Sequence, residues 1–346
     1  MKRIGLLTGG GDCPGLNAAI RAVVRRGAQL DLEIYAVYEG FKGLASGNIK
    51  PFPIQKTSGI LPLGGTLLRT SRFNPLKTKE TAEQVRESIA SHELEGLIVI
   101  GGEGSLRLTF DISRKLKIPC IGIPKTIDND VWGTDATIGF DTAVETATQA
   151  IDKLHTTAES HNFVMVVEVM GRHTGWIALK SGLAGGADMI LIPEVPVKLS
   201  AILNTLEHRK NHGKNFSILV VAEDAGVKDD RGRWLVKTPM QKDEYGHIKN
   251  SGAGNQVARL IHQKTGLETR VVVLGYVQRG GSPTPADRIL ATRFGLLAAE
   301  MAAAGKWNRM TVLRGNKVTS VPLSGVVRKI KKADVDLYRQ ASYFFN

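Results

Sequence analysis

An α/β fold is predicted by three observations. Short apolar runs bounded by turn residues recur at Ile4–Leu7, Ile34–Tyr38, Leu97–Ile100, Ile118–Ile123, Val164–Val169, Met189–Ile192, Ile218–Ala222 and Val271–Leu274. Helical patterns fall between most of them, and 38 glycines among 346 residues suit many strand-end turns. Such alternation is what a parallel sheet covered on both faces requires.

Taken in order, the first strand runs into Thr8-Gly9-Gly10-Gly11-Asp12-Cys13-Pro14-Gly15-Leu16-Asn17, followed by a helix with Ala18, Ala19, Ile20, Val23 and Val24 on its apolar side. Leu97–Ile100 reads as a buried strand that ends in Gly101-Gly102-Glu103-Gly104-Ser105 and opens a helix running to Leu108 and Ile112. Ile118–Ile123 delivers Pro124-Lys125-Thr126-Ile127-Asp128-Asn129-Asp130, and Val164–Val169 delivers Met170-Gly171-Arg172. Val271–Leu274 delivers Gly275-Tyr276-Val277-Gln278-Arg279-Gly280-Gly281. Further helices are expected at Thr142–Leu154, Ala201–Arg209, Gly254–His262 and Asp287–Ala304, and residues 224–252 read as a polar excursion on the surface. No repeat or low-complexity linker marks a boundary, which falls best at Gly133–Gly139.

The length favours two domains, and 42% apolar residues suffice for a sizeable core. Cys13 and Cys120 lack metal-ligand spacing, so reduced thiols in a cytoplasmic setting are expected. The N-terminal apolar run is too short for a signal peptide, and no uncharged stretch approaches a membrane helix in length. The net charge is +13, of which +7 lies in residues 305–346. That tail is the one place where nucleic acid would fit, and a solvated face is the preferred reading.

Two carboxylates beside a hydroxyl at a strand end suit a general base with a metal-side role, here Asp128 and Asp130 with Thr126. Glycines at 9–11 and 101–104, with helix N-termini behind them, suit phosphate, and Glu103 offers a hard oxygen to magnesium. Either loop alone is equally compatible with an ordinary glycine turn. Pro14 breaks the dinucleotide fingerprint, and no Gly-Lys-Ser/Thr occurs, so nucleotide binding must use another scheme. Arg172 and Arg279, beside flexible backbone at strand ends, suit a phosphorylated substrate, although each could instead bond a carboxylate inside the fold.

The motifs at 9–17, 101–105, 124–130, 170–172 and Gln278–Pro283, in this order over roughly residues 1–300, closely resemble the 6-phosphofructokinase family. The resemblance implies two similar Rossmann-like parallel-sheet domains with the active site in the cleft between them. Residues 1–138 plus about 252–304 would bind the donor, 139–251 plus about 305–325 the sugar phosphate, and 326–346 would form a basic tail. It implies a homotetramer with active sites shared between subunits, and Mg2+ as cofactor. Asp128 would take the proton of the 1-hydroxyl of fructose 6-phosphate, with Thr126 and Arg72 steadying the moving phosphoryl group and Asp130 beside them. Gly11, Arg72, Phe73, Gly102, Glu103, Gly104, Ser105 and Lys125 would line the donor site, with Glu103 toward the metal. Thr126, Ile127, Asp128, Met170, Gly171, Arg172, Glu223, Arg270, Tyr276 and Arg279 would hold the sugar phosphate.

The donor turns on residues 104 and 125. In members of the family, glycine at the first leaves room for the α-phosphate and nucleoside of ATP, whereas aspartate goes with pyrophosphate. Lysine at the second resembles the pyrophosphate users. Steric exclusion outweighs an added charge on a flexible side chain, so ATP is expected. Phe163 and Tyr276 stand where the family usually carries arginine and histidine for the 6-phosphate, which leaves another sugar phosphate such as sedoheptulose 7-phosphate open. Arg21 and Arg25 match effector-binding arginines, but Gln55 or Lys56 and His155 do not, so weak or altered allosteric response is expected. Lipid and dinucleotide kinases share the turn at 101–105 but would leave Met170–Arg172 and Gln278–Pro283 without a role. A polyanion-binding subunit without catalysis would not need Asp128, Asp130, Glu103 and Arg72.

Overall fold

The computed structural model describes residues 1–237, 241–242, 248–249, 252–327 and 329–345. The chain forms two compact units, residues 1–142 with 279–331, and residues 143–278 with 332–346. The strands of their main sheets are, in chain order, β1 (Lys2–Gly9), β2 (Leu32–Val37), β3 (Ile49–Pro51), β4 (Leu94–Gly101), β5 (Cys120–Pro124), β6 (Val164–Val169), β7 (Met189–Leu191), β8 (Ser217–Ala222), β9 (Thr269–Val273), β10 (Arg309–Arg314) and β11 (Lys317–Pro322). The helices are α1 (Leu16–Gln29), α2 (Gly40–Ala45), α3 (Lys79–Ser91), α4 (Glu103–Leu116), α5 (Phe140–His161), α6 (Trp176–Ala184), α7 (Leu199–Asn211), α8 (Ala253–Thr265), α9 (Pro285–Ala303) and α10 (Val335–Ser342).

In the first unit the strand order is β11-β10-β5-β4-β1-β2-β3, parallel except for the edge strands β3 and β11. The centre of β4, Leu97 to Ile100, is fully buried, as the continuous apolar run demands of a strand covered on both faces. From β1 the chain steps one way to β2, and from β4 it steps the other way to β5, so the order reverses between β1 and β4. In doubly wound sheets ligands bind outside the carboxyl ends of the strands at such a point. Register aligns those ends, Gly9 opposite Gly101 and Gly101 opposite Pro124. Helix α1 buries Leu16, Ile20, Val23 and Val24 and packs against α9. Gly295 permits that contact, because a Cβ there would lie 2.7 Å from the Ala19 carbonyl oxygen.

The second unit carries a parallel sheet of order β9-β6-β8-β7. Both units are thus mainly parallel α/β layers, as the alternating pattern predicts. Their limits differ from the expected ones. Strand β9 pairs with β6, so α8 and β9 belong with the second unit, while β10 pairs with β5 and draws 309–322 into the first. The division at 142/143 falls inside α5 and not at Gly133–Gly139. The expected tail at 326–346 is divided: 326, 327 and 329–331 belong to the first unit, and α10 to the second. Part of the excursion at 224–252, and Arg328 in the basic segment, lie outside the described residues. No helix among the described residues is long and apolar enough to cross a membrane.

Candidate functional site

Three loops meet at the switch point of the first unit. The glycines bring them together by close approach: a Cβ at Gly101 would lie 2.4 Å from Ser105 Cβ, and one at Gly9 would lie 2.9 Å from Ser105 Oγ. Ser105 stands in the first turn of α4, whose N-cap is Gly102. Amides in such a turn lack intrahelical acceptors and attract anions. A segment sewn to the first loop completes this side. Thr70 Oγ1 donates to Gly10 O at 2.7 Å, Gly10 N to Ser71 O at 3.3 Å, and Thr8 Oγ1 to Arg69 O at 2.7 Å. Arg72 and Phe73 follow directly and are exposed.

Lys125 is buried, and its Nζ donates to Gly9 O at 3.0 Å and Gly11 O at 2.5 Å. Burial holds this ammonium below its ordinary pKa. Arg279 stands beside the same loop, Nη1 donating to Asp12 O at 3.3 Å, and a Cβ at Gly11 would meet it at 2.9 Å. Arg279, expected at the sugar phosphate, thus lies against the loop at Gly11 and Asp12. Position 104 is different in kind, because a Cβ there would have no heavy atom within 4 Å.

Past β5 the backbone turns through Asn129 at φ 51°. Thr126 Oγ1 donates to Asp128 Oδ2 at 3.1 Å and accepts from Asp128 N at 3.2 Å, an arrangement that fixes the carboxylate within a buried loop. Asp130 and Ile127 are buried in the same turn. The donor set fits magnesium. Glu103 supplies a hard carboxylate oxygen in the first turn of α4, and no group of three or more acidic, histidine or cysteine side chains among the described residues forms a closed metal cage. Magnesium needs none, since it is held through one or two carboxylates and the phosphates it accompanies.

In the second unit, β6 and β8 end side by side, Val169 opposite Ala222. Glu223 is buried, and its Oε1 accepts from Gly171 N at 3.2 Å and Arg172 N at 2.6 Å, while Gln278 Oε1 accepts from Met170 N at 2.9 Å. Glu223, expected in the sugar-phosphate set, thus uses Oε1 to shape the Met170–Arg172 loop. Gly171 is required there, with φ 153° and a Cβ site 2.4 Å from Thr174 O. The guanidinium of Arg172 and the ring of Tyr276 are left exposed at this strand end. Arg270 is not near them. It lies at the start of β9, opposite Met165, packed over the Phe163 ring at 5.1 Å and paired with Glu268. Arg270 and Phe163 therefore occupy the amino edge of the sheet whose carboxyl edge carries Arg172.

Sequence reasoning missed several residues. His173 Nδ1 bonds Asp224 Oδ2 at 3.1 Å, which raises the histidine pKa. Asp287 accepts from Gly139 N and Thr142 N, each at 2.8 Å, tying the start of α5 to α9. Asn129 and Lys331 bond one another. Only Asp224 carried a signal, as the neighbour of Glu223 at a strand exit. Among the effector positions, Arg25 Nε donates to Thr57 Oγ1 at 3.0 Å, and His155 Nε2 lies 2.7 Å from Gly185 O.

The family model for phosphofructokinase matches residues 3–302. A pyrophosphate–fructose 6-phosphate 1-phosphotransferase of Streptomyces coelicolor is 47% identical over 344 residues, covering 99% of each chain. An ATP-dependent 6-phosphofructokinase of Chloroflexus aggregans is 46% identical over 332 residues, covering 93% of this chain and 90% of the relative. The solved phosphofructokinase of Saccharomyces cerevisiae superposes with a TM-score of 0.79 at 32% identity, over 94% of this chain and 45% of that longer one. With its five motifs following strands of two mainly parallel sheets, the chain belongs to the phosphofructokinase family, a family of phosphotransferases.

Proposed function

We propose that the chain is an ATP-dependent 6-phosphofructokinase, which transfers the γ-phosphate of ATP to the 1-hydroxyl of fructose 6-phosphate and yields fructose 1,6-bisphosphate, a step of glycolysis. The open space at Gly104 carries this reading. Nothing stands within 4 Å of where a side chain would begin, next to the helix N-terminus and glycine loops that suit phosphates. Lys125, the feature that argued for pyrophosphate, supports ATP in its observed setting, because its ammonium is engaged by Gly9 O and Gly11 O.

In this reading Asp128, held by the Thr126 hydroxyl, accepts the proton of the sugar 1-hydroxyl as that oxygen bonds to the γ-phosphorus and the bond to the ADP oxygen breaks. Arg72 faces the charge on the moving phosphoryl group, while the amides of the first turn of α4, Phe73 and Ser105 orient the donor. Glu103 would hold Mg2+, which supplies positive charge to the donor phosphates when bound. Met170, Gly171, Arg172 and Tyr276 hold the sugar phosphate. Arg270 sits at the opposite edge of its sheet from Arg172, so within one chain the two cannot grip one phosphate. If Arg270 binds the sugar phosphate, it does so from a second copy of the chain, in a homo-oligomer with shared sites.

Pyrophosphate is the second reading, favoured by the 47% identical relative that bears that donor in its name. Coupled assays of the purified protein with ATP and with pyrophosphate, each against fructose 6-phosphate and sedoheptulose 7-phosphate, decide both substrates. Turnover with pyrophosphate and none with ATP refutes the donor assignment.

A further inference from the structure

Residues 330 and 331 fall in the basic tail expected at 326–346. In the structure they dock on the turn that carries Asp128 and Asp130. Lys331 Nζ donates to Asn129 Oδ1 at 2.8 Å, Thr134 O at 2.9 Å and Asp135 O at 2.8 Å. Its backbone N–H donates to Asp130 O at 2.9 Å, and Ile330 forms a β-bridge with Val131. Asn129 is the residue between the two acids. It is 2% exposed, holds φ at 51°, and its Oδ1 also meets Thr137 Oγ1 at 3.4 Å. Residues 129, 130 and 131 are therefore each clamped by the C-terminal segment, directly after Asp128.

An ammonium in this position is expensive. Burial pushes its pKa down to about 8, and a methionine, unbranched and one atom shorter, would lie there without that cost. The return is geometric: an ammonium with three acceptors fixes a left-handed asparagine, and so the direction in which Asp128 leaves the backbone. A general base must be held within a few tenths of an ångström of its productive place.

We propose that Lys331 is a positioning residue for the phosphoryl-transfer step, acting through Asn129 to aim Asp128. The inference rests on the reading of Asp128 as general base. The full-length Lys331→Met variant tests it in steady-state kinetics with the donor and sugar phosphate that the unmodified chain turns over. We expect kcat to fall by about 10- to 100-fold, with both KM values changed less than about threefold, because misplacement of a reacting group costs turnover and not binding. Lys331→Arg, which keeps the donors, should recover most of kcat. Lys329→Met, which removes an exposed charge two residues away, should leave kcat unchanged. Asn129→Gly, which keeps the positive φ and removes the acceptor, gives a second route if Lys331→Met does not fold. It should show the same loss, and the double variant should be no worse than either single one. A lower melting temperature of Lys331→Met with kcat within twofold of the parent would overturn the inference and leave Asp128 untouched. No turnover by the unmodified chain with any donor would remove the reading of Asp128 and this inference with it.

Discussion

Replacing Gly104 by aspartate probes the donor site without disturbing the fold. The position lies in the first turn of α4, is exposed, and has open space around the site of a Cβ. Removing a helical glycine gains a few tenths of a kcal/mol, and an acid in the first turn adds about 0.3–1 kcal/mol through the helix dipole, so Gly104→Asp should unfold no earlier than the parent. On an ATP-sized donor the effect has the opposite sign. A carboxylate about 4 Å from a phosphate oxygen is repelled by about 1 kcal/mol in water and about 4 kcal/mol at an effective dielectric of 20. For an open, partly wetted site the lower range applies, about 1–3 kcal/mol, or roughly 5- to 150-fold in kcat/KM. Pyrophosphate, which has no α-phosphate or nucleoside to place there, should lose less. The assay is the ratio of kcat/KM for the two donors in parent and variant at fixed sugar phosphate and magnesium, with thermal unfolding as control. An unchanged ratio in a folded variant would refute the assignment of position 104 to the donor site.

Asp128→Ala should lower kcat by about 10²- to 10⁴-fold while calorimetry still detects sugar-phosphate binding; wild-type turnover would exclude Asp128 as the base. The hydrogen bond to Asp224 raises the folded pKa of His173 above 6.5, so its stabilisation is complete below pH 6.5 and is lost as pH rises through the folded value. His173→Gln should accordingly flatten the fall of melting temperature between about pH 6 and 8, and an unaltered profile would contradict this. Burial pushes the Cys13 thiol up to about 12, and Cys120 is raised by the same cause, so neither should be alkylated by iodoacetamide at pH 8 until the protein is denatured. Arg270→Ala should raise the KM for the sugar phosphate by about tenfold, the usual worth of a charged contact. If the sites are shared, mixing that variant with Arg172→Ala should restore activity through hybrid oligomers, whereas inert mixtures would argue for sites contained in one chain.

The layers of the fold were legible because a strand buried on both faces leaves an uninterrupted apolar run, as at Leu97–Ile100 and Val164–Val169. Glycine misled where its two uses look alike in sequence. Gly133 and Gly139 read as a domain boundary, yet a Cβ at Gly139 would lie 2.4 Å from Cys13 Sγ and one at Gly133 would lie 2.9 Å from Val326 Cγ1, so both are sites of close packing. The hairpin of β10 and β11 was masked by its charge, although Gly315-Asn316 between alternating residues is a hairpin signal, and Gly315 has φ 54°. Charge count describes the solvated face of those strands, while Met310 and Val312 are fully buried.

The site was legible to the same depth, in its strand ends but not in what holds them. A residue type at a strand end announces a chemistry; its partner decides whether that chemistry is spent inside the fold. Glu223 illustrates this, since the carboxylate expected to meet a sugar is bonded by the amides of 171 and 172, and it shapes the loop from which Arg172 projects. Lys125 does the same for Gly9 and Gly11, and Lys331 for Asn129, a contact across 202 residues that no local pattern encodes. In each case a wholly or partly buried ionic group grips backbone or a backbone-like amide in a loop at a strand end. Burying charge is costly, so these three groups contribute to the shape of their strand-end loops more than to stability.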